Sequence, residues 1–248
     1  MDLRANWNEC KLAVLDTETT GLNPDKDRII EVGIAIYQNG TVVEEYQTLI
    51  DPECSIPDEV VRITGIQPAE LEGAPKFAEV VDDVYARLID HVVVAYNLAF
   101  DRRFIERELE RCGRAWPDVP TIDPLVFVRE LHRDQGSKRL EAVASRLGIP
   151  HPDAHRALND AIVAAQVLFA LASQLPPGLH ELITLQQQWA IKQEQEMSGW
   201  RSRQSSDFQV SVSGGIDLID AEGMMSLGPA FVYGGESDPL RALFSLLS

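Results

Sequence analysis

Two carboxylates two residues apart, Asp16 and Glu18, close the apolar run of LAVLDTETTGL, residues 12–22. Side chains at i and i+2 of a strand share a face, so the pair would stand about 6–7 Å apart along it. Like charges that close repel, and a divalent cation removes the repulsion. Mg²⁺ takes oxygen ligands, commonly one or two carboxylates, and leaves its other positions to water and phosphate. A solvated loop entry can carry the same two residues, so the pair alone decides little. Two further stretches narrow the choice. Asp101, in VVVAYNLAFDRRF, falls in the first turn of a helix just beyond an apolar strand. Asp160, in HPDAHRALNDA, falls near the start of another helix, with His155 five residues before it. The helix dipole alone favours Asp in a first turn, and a single histidine is commonly a surface or capping residue. Taken together, four carboxylates at the mouths of apolar elements and one histidine make a set able to hold metal ions. The histidine can move a proton near neutral pH.

The elements that must position these residues are readable in outline. Lys11–Thr17 is a buried strand by its continuous apolar run. Asn23-Pro24-Asp25 is a turn, Ile29–Tyr37 a second strand, Asn39-Gly40 a hairpin signal and Thr41–Ile50 a third strand, which makes an antiparallel meander. A short helix at Asp58–Ile63 and an amphipathic one at Lys76–Ile89 follow. The strand Val92–Tyr96 leads into a helix over Leu98–Cys112, and Thr121-Ile122 is a brief strand. Helices are expected at Pro124–Arg133, Lys138–Leu147 and Arg156–Leu175, with Gly148, Pro150 and Pro176-Pro177 as stops. Three antiparallel strands followed by alternating strands and helices predict an α/β protein: one mixed five-stranded sheet flanked by helices.

Composition bounds the partners. The 248 residues are 45% hydrophobic and 25% charged, as in an ordinary globular protein, and carry a net charge of −17. The charge is uneven: residues 1–100 hold 7 basic and 19 acidic side chains, residues 161–248 hold 4 and 9, and residues 101–160 hold 11 of each. Such a chain should not bind bulk nucleic acid through charge alone. It can process a nucleic-acid end if cations neutralise the site. The central arginines read as a solvated helix face. Cys10, Cys54 and Cys112 are scattered without a CxxC pair, which suits a reducing compartment and argues against a zinc cluster. No apolar run approaching the roughly 18 residues of a membrane span and no secretory leader is read, so the chain is expected in the cytoplasm.

LDTETTGL, YNLAFD and HRALNDA resemble the three exonuclease motifs of the DEDDh (DnaQ-like) family, which includes the proofreading epsilon subunit of bacterial DNA polymerase III. The likeness covers residues 11–175, with the motifs in the family's order. The H-x4-D spacing is that of the histidine subclass; the sister subclass uses a tyrosine, and none occurs between Tyr96 and Tyr233. The resemblance implies an RNase H-like fold and a two-metal 3′→5′ exonuclease. Asp16, Glu18, Asp101 and Asp160 would hold two Mg²⁺ or Mn²⁺ ions, and His155 would be the general base, overhanging the site from a mobile loop. Substrate contacts would fall to Thr17, Thr19, Leu22, Ile63, Thr64, Asn97 and Phe100. Tyr96 departs from the histidine of many relatives, and Asn159 from an acid or small residue. The resemblance implies DNA 3′ ends as substrate, in proofreading, repair or end trimming. The alternatives are trimming of RNA 3′ ends, or a chain that serves chiefly as an interaction subunit.

The character changes after Pro177. Residues 1–176 read as the exonuclease domain and residues 177–248 as an extension. Leu179–Met197 is glutamine-rich and helical, and from Ser198 the Gly- and Ser-rich chain reads as a loosely ordered tail. That tail is a candidate docking segment for a polymerase, a sliding clamp or another nucleoprotein partner. Leu240–Phe244 resembles clamp-binding peptides faintly and lacks their leading glutamine.

Overall fold

In a computed structural model of the chain, residues 2–152 and 154–212 are described, with side chains through Ser198. The chain divides into two compact units, residues 1–186 and 187–248. The first unit opens with the meander β1 (Leu12–Thr19), β2 (Ile29–Gln38) and β3 (Thr41–Leu49). Then come α1 (Asp58–Thr64), α2 (Pro68–Leu71), α3 (Phe77–Leu88), β4 (Val92–Val94), α4 (Leu98–Arg111) and β5 (Thr121–Ile122). Helices α5 (Pro124–Leu131), α6 (Leu140–Leu147) and α7 (Ala157–Leu171) follow, then a 3-10 turn at Ala172–Gln174 and the start of α8 (Leu179–Val212).

The sheet order is β3-β2-β1-β4-β5. β2 pairs antiparallel with both β1 and β3, whereas β4 runs parallel to β1 and β5 parallel to β4. This is the expected mixed five-stranded sheet. Alternation along the strands separates its two faces. Ala13, Leu15, Val32, Ile34 and Ile36 join Val84 and Leu88 of α3 and Phe104, Ile105 and Leu109 of α4 in one buried cluster. The other face belongs to α7, where Phe169 stacks on Trp7 with centroids 5.7 Å apart and meets Tyr37 at 5.5 Å. α7 comes closest over Gly33: a Cβ there would lie 2.1 Å from the Leu158 backbone nitrogen. Only glycine permits this approach.

Two expectations change. The 18 residues from Ala157 to Gln174 are long and apolar enough, by composition, to pass for a membrane span. In the fold they are a core helix, with Val163, Val167, Leu168 and Leu171 buried. The helix α8 also runs on past Ser198, where composition suggested loose order, to Val212. Leu240–Phe244 lies outside the described residues.

Candidate active site

The predicted catalytic residues come from β1, α4, α7 and the loop before α7, which meet at the end of β1. Asp16 and Glu18 are on β1, on the face that carries Gly33 and Glu31 of β2, their register partners. The β1–β2 register shifts between Glu18 and Thr19. Such irregularities bend a strand and re-aim its side chains. Asp101 enters from the first turn of α4 and is buried, with only 2% of its surface exposed. Its Oδ1 accepts from the Thr17 backbone N–H at 2.9 Å and the Thr17 hydroxyl at 2.8 Å. Those bonds tie α4 to β1 beside the Asp16–Glu18 pair. Asp160, also buried, enters from the first turn of α7.

His155 precedes α7 and has a left-handed backbone, φ +67°. Its backbone N–H donates to Asp160 Oδ2 at 3.3 Å, and its Nε2 lies 3.3 Å from Glu141 Oε1. Ligand atoms of Glu18, His155 and Asp160 all lie within 4.8 Å of one another.

The electrostatics follow from crowding acids in a poorly solvated place. Burial, then the charges of Asp101 and Asp160, push the Asp16 carboxyl well above the usual carboxylate range. Burial, then Asp160 and Glu31, do the same to Glu18, with Arg156 opposing. Asp101 is pushed up to about 7 by burial, against the hydrogen bonds from Thr17. Ionising all these groups together is unfavourable unless a cation joins them. The all-oxygen carboxylate set is the donor chemistry of Mg²⁺ and Mn²⁺.

The residues expected to meet substrate are placed as follows. Thr17 spends its hydroxyl on Asp101, and Thr19 donates to the Gly21 carbonyl at 2.6 Å. Leu22 is half-buried on the loop after β1. Ile63 and Thr64 end α1, where the Thr64 hydroxyl donates to the Val60 carbonyl at 2.9 Å. Asn97 is the left-handed residue that starts α4, and Phe100 packs on Phe104 with centroids 4.9 Å apart. Tyr96 is buried, and its hydroxyl donates to the Lys138 carbonyl.

Three features escaped the sequence reading. His151 Nε2 lies 2.5 Å from Asp160 Oδ1, and that hydrogen bond holds the imidazole above its ordinary pKa while burial opposes it. Asp123 caps α5 through Leu125 N–H at 2.9 Å and also accepts from Asn97 N–H at 3.0 Å and Leu98 N–H at 3.1 Å. One carboxylate therefore secures the helix that brings Asp101. Asp before Pro was a legible cap signal for α5, but its service to α4 was not. The central arginines, read as a solvated face, include residues paired with buried acids. Arg111 reaches Glu108 of α4 at 3.0 Å, where Arg28, from outside that central group, also binds at 2.7 Å, and Glu108 is 1% exposed.

The mixed sheet with acids gathered at the end of its central strand is an RNase H-like nuclease fold. The exonuclease family model, RNase_T, matches residues 13–168, and the chain belongs to that DnaQ-like family. Among curated relatives, the PolC-type DNA polymerase III of Thermotoga maritima is 37% identical over 172 residues, covering 69% of this chain and 12% of that protein. The 3′-5′ exonuclease DinG of Staphylococcus epidermidis is 35% identical over 156 residues, covering 63% of this chain and 17% of that protein. The chain thus spans less than a fifth of the length of these relatives. Among solved structures, exonuclease I is similar at TM-score 0.62 and 22% identity, covering 66% of this chain and 41% of that one. Escherichia coli exonuclease I in complex with a dT13 oligonucleotide is similar at TM-score 0.61 and 21% identity, covering 66% of this chain and 41% of that one. These likenesses concern the fold.

Proposed function

We propose that this chain is a metal-dependent 3′→5′ exonuclease that removes nucleoside monophosphates from DNA 3′ ends. The observation that carries the reading is the convergence of Asp16, Glu18, Asp101 and Asp160, with His155 beside Asp160, at the end of β1. Asp16, Glu18, Asp101 and Asp160 would hold two Mg²⁺ or Mn²⁺ ions, which when bound supply Lewis acidity and charge neutralisation at the attacked phosphate. His155 takes the proton from the attacking water as general base. Glu141, 3.3 Å from its Nε2, orients the ring. His151 holds Asp160 at its other side. Leu22, Ile63 and Phe100 offer apolar surface to the last nucleotide, with Asn97 near its backbone.

DNA is the substrate favoured by the relatives, a DNA polymerase and a 3′-5′ exonuclease, and by the dT13 complex of the structural neighbour. The same relatives favour a role in replication or repair. The residues beyond 176 would then recruit a polymerase or another nucleoprotein partner.

The test is digestion of 5′-labelled single strands of DNA and RNA of one sequence with Mg²⁺ or Mn²⁺. A ladder shortening from the 3′ end, faster on DNA and stopped by EDTA, is expected. Faster loss of the RNA would make the chain an exoribonuclease, and digestion that persists in EDTA would remove the metal from the reading.

A further inference from the structure

A fifth carboxylate shares the face of Asp16 and Glu18. Glu31 stands opposite Glu18 in the β1–β2 register and is 0% exposed. Its oxygens are already engaged. Oε1 accepts from Gln47 Nε2 at 2.7 Å and from Arg156 Nη2 at 2.8 Å. Oε2 accepts from the Ala157 backbone N–H at 3.0 Å, and Arg156 Nε lies 3.2 and 3.3 Å from the two oxygens. A carboxylate has about four lone-pair sites. Glu31 is therefore a hydrogen-bond hub rather than a free metal ligand.

The partners of that hub are the residues just after His155. Arg156 docks on Glu31 through its side chain, Ala157 docks through its N–H, and Leu158 lies over Gly33. His155 itself is bonded to Asp160 through its backbone N–H. Four consecutive residues, 155 to 158, are thus pinned. A non-glycine residue in the left-handed region is strained and persists only where its surroundings over-determine it. His155, at φ +67°, is such a residue, and the pins are what over-determine it.

We infer that Glu31 and Arg156 form a latch that sets the backbone of His155 and so aims its imidazole. They are positioning residues, acting through His155 and touching neither substrate nor metal. The inference rests on the reading of His155 as the base. Arg156 is the better residue to change, because its side chain is 37% exposed and lysine keeps the charge while losing the two-pronged grip.

The test is a double-mutant cycle on the full chain with a labelled oligonucleotide. Arg156→Lys is expected to lower kcat by about 10–100-fold, as loss of a supporting hydrogen bond does in metal sites, with KM unchanged within about twofold. Glu31→Gln should act in the same direction. The His155→Ala/Arg156→Lys double variant should be no slower than His155→Ala alone. In the metal-free protein, the ¹H–¹⁵N signal of the His155 ring, assigned by its absence in His155→Ala, should shift in Arg156→Lys. Losses that add in full in the double variant, or an unmoved ring signal, overturn the latch while leaving the base assignment standing. A His155→Ala variant at the wild-type rate overturns both. Should Glu31→Gln fail to fold, Arg156→Lys still decides the question.

Discussion

His151 and Asp160 are joined by a 2.5 Å contact between Nε2 and Oδ1, although His155 is the histidine whose spacing from Asp160 matches the family motif. The two histidines take different places: one ring is bonded to the Asp160 carboxylate, and the other stands beside Glu18 and Asp160. Outer partners of metal-binding carboxylates commonly contribute tenfold to a hundredfold in affinity. His151→Ala should weaken Mn²⁺ binding by about that factor, measured by calorimetry, and His151→Gln, which keeps a donor, should weaken it less. Unchanged affinity in His151→Ala would assign this contact to packing alone.

His155→Ala should separate proton transfer from metal binding. Losing a general base costs about 10²–10⁴-fold in rate. Single-turnover rates should fall by that order while Mn²⁺ affinity stays near wild type. A large loss of affinity would make His155 a ligand instead.

Asp101 provides a pH test. Its carboxyl moves from 3.8 to about 7 on folding. Between those values the folded, metal-free protein binds more protons than the unfolded chain, so this group lowers stability as pH rises through the window. Thermal melts from pH 4 to pH 8 should show a decline that Asp101→Asn flattens. Equal slopes in the two proteins would contradict the buried environment assigned to Asp101.

Cation binding should run the other way. A ligand at about 100 times its Kd stabilises the folded state by about 2.7 kcal/mol. Mn²⁺ should therefore raise the melting temperature, and by more at pH 8 than at pH 4, because protons compete with the ion for these raised carboxyls. Asp16→Asn should lose most of that shift and most of the activity. A full thermal shift in this variant would place the ion elsewhere.

Gly33→Ala tests how α7 is seated. The new Cβ would meet the Leu158 backbone nitrogen at 2.1 Å, so the start of α7 must move. Overpacking of this kind costs about 1–3 kcal/mol. A denaturant midpoint lowered to match, with a loss of kcat, is the expected outcome.

Much of this architecture is local and was legible in the sequence. Continuous apolar runs, Asn39-Gly40, the helix stops and the i, i+2 spacing of Asp16 and Glu18 each depend on neighbours in the chain. Periodicity therefore identified the meander, the later strands and most of the helices, and motif order brought Asp101, His155 and Asp160 into one set. Register and packing decided what spacing could not. Glu31 lies 125 residues from Arg156, and Arg28 lies 80 from Glu108; such pairs exist only once β2 is registered on β1 and α4 and α7 are docked. Tertiary contacts likewise paired a surface-looking arginine with the buried Glu31 and tied up the Thr17 and Thr19 hydroxyls, and burial raised the carboxylates. By itself the sequence determined which groups could do the chemistry. The tertiary structure decided which groups hold them in place, because desolvation and long-range hydrogen bonds come into being only when the chain closes on itself.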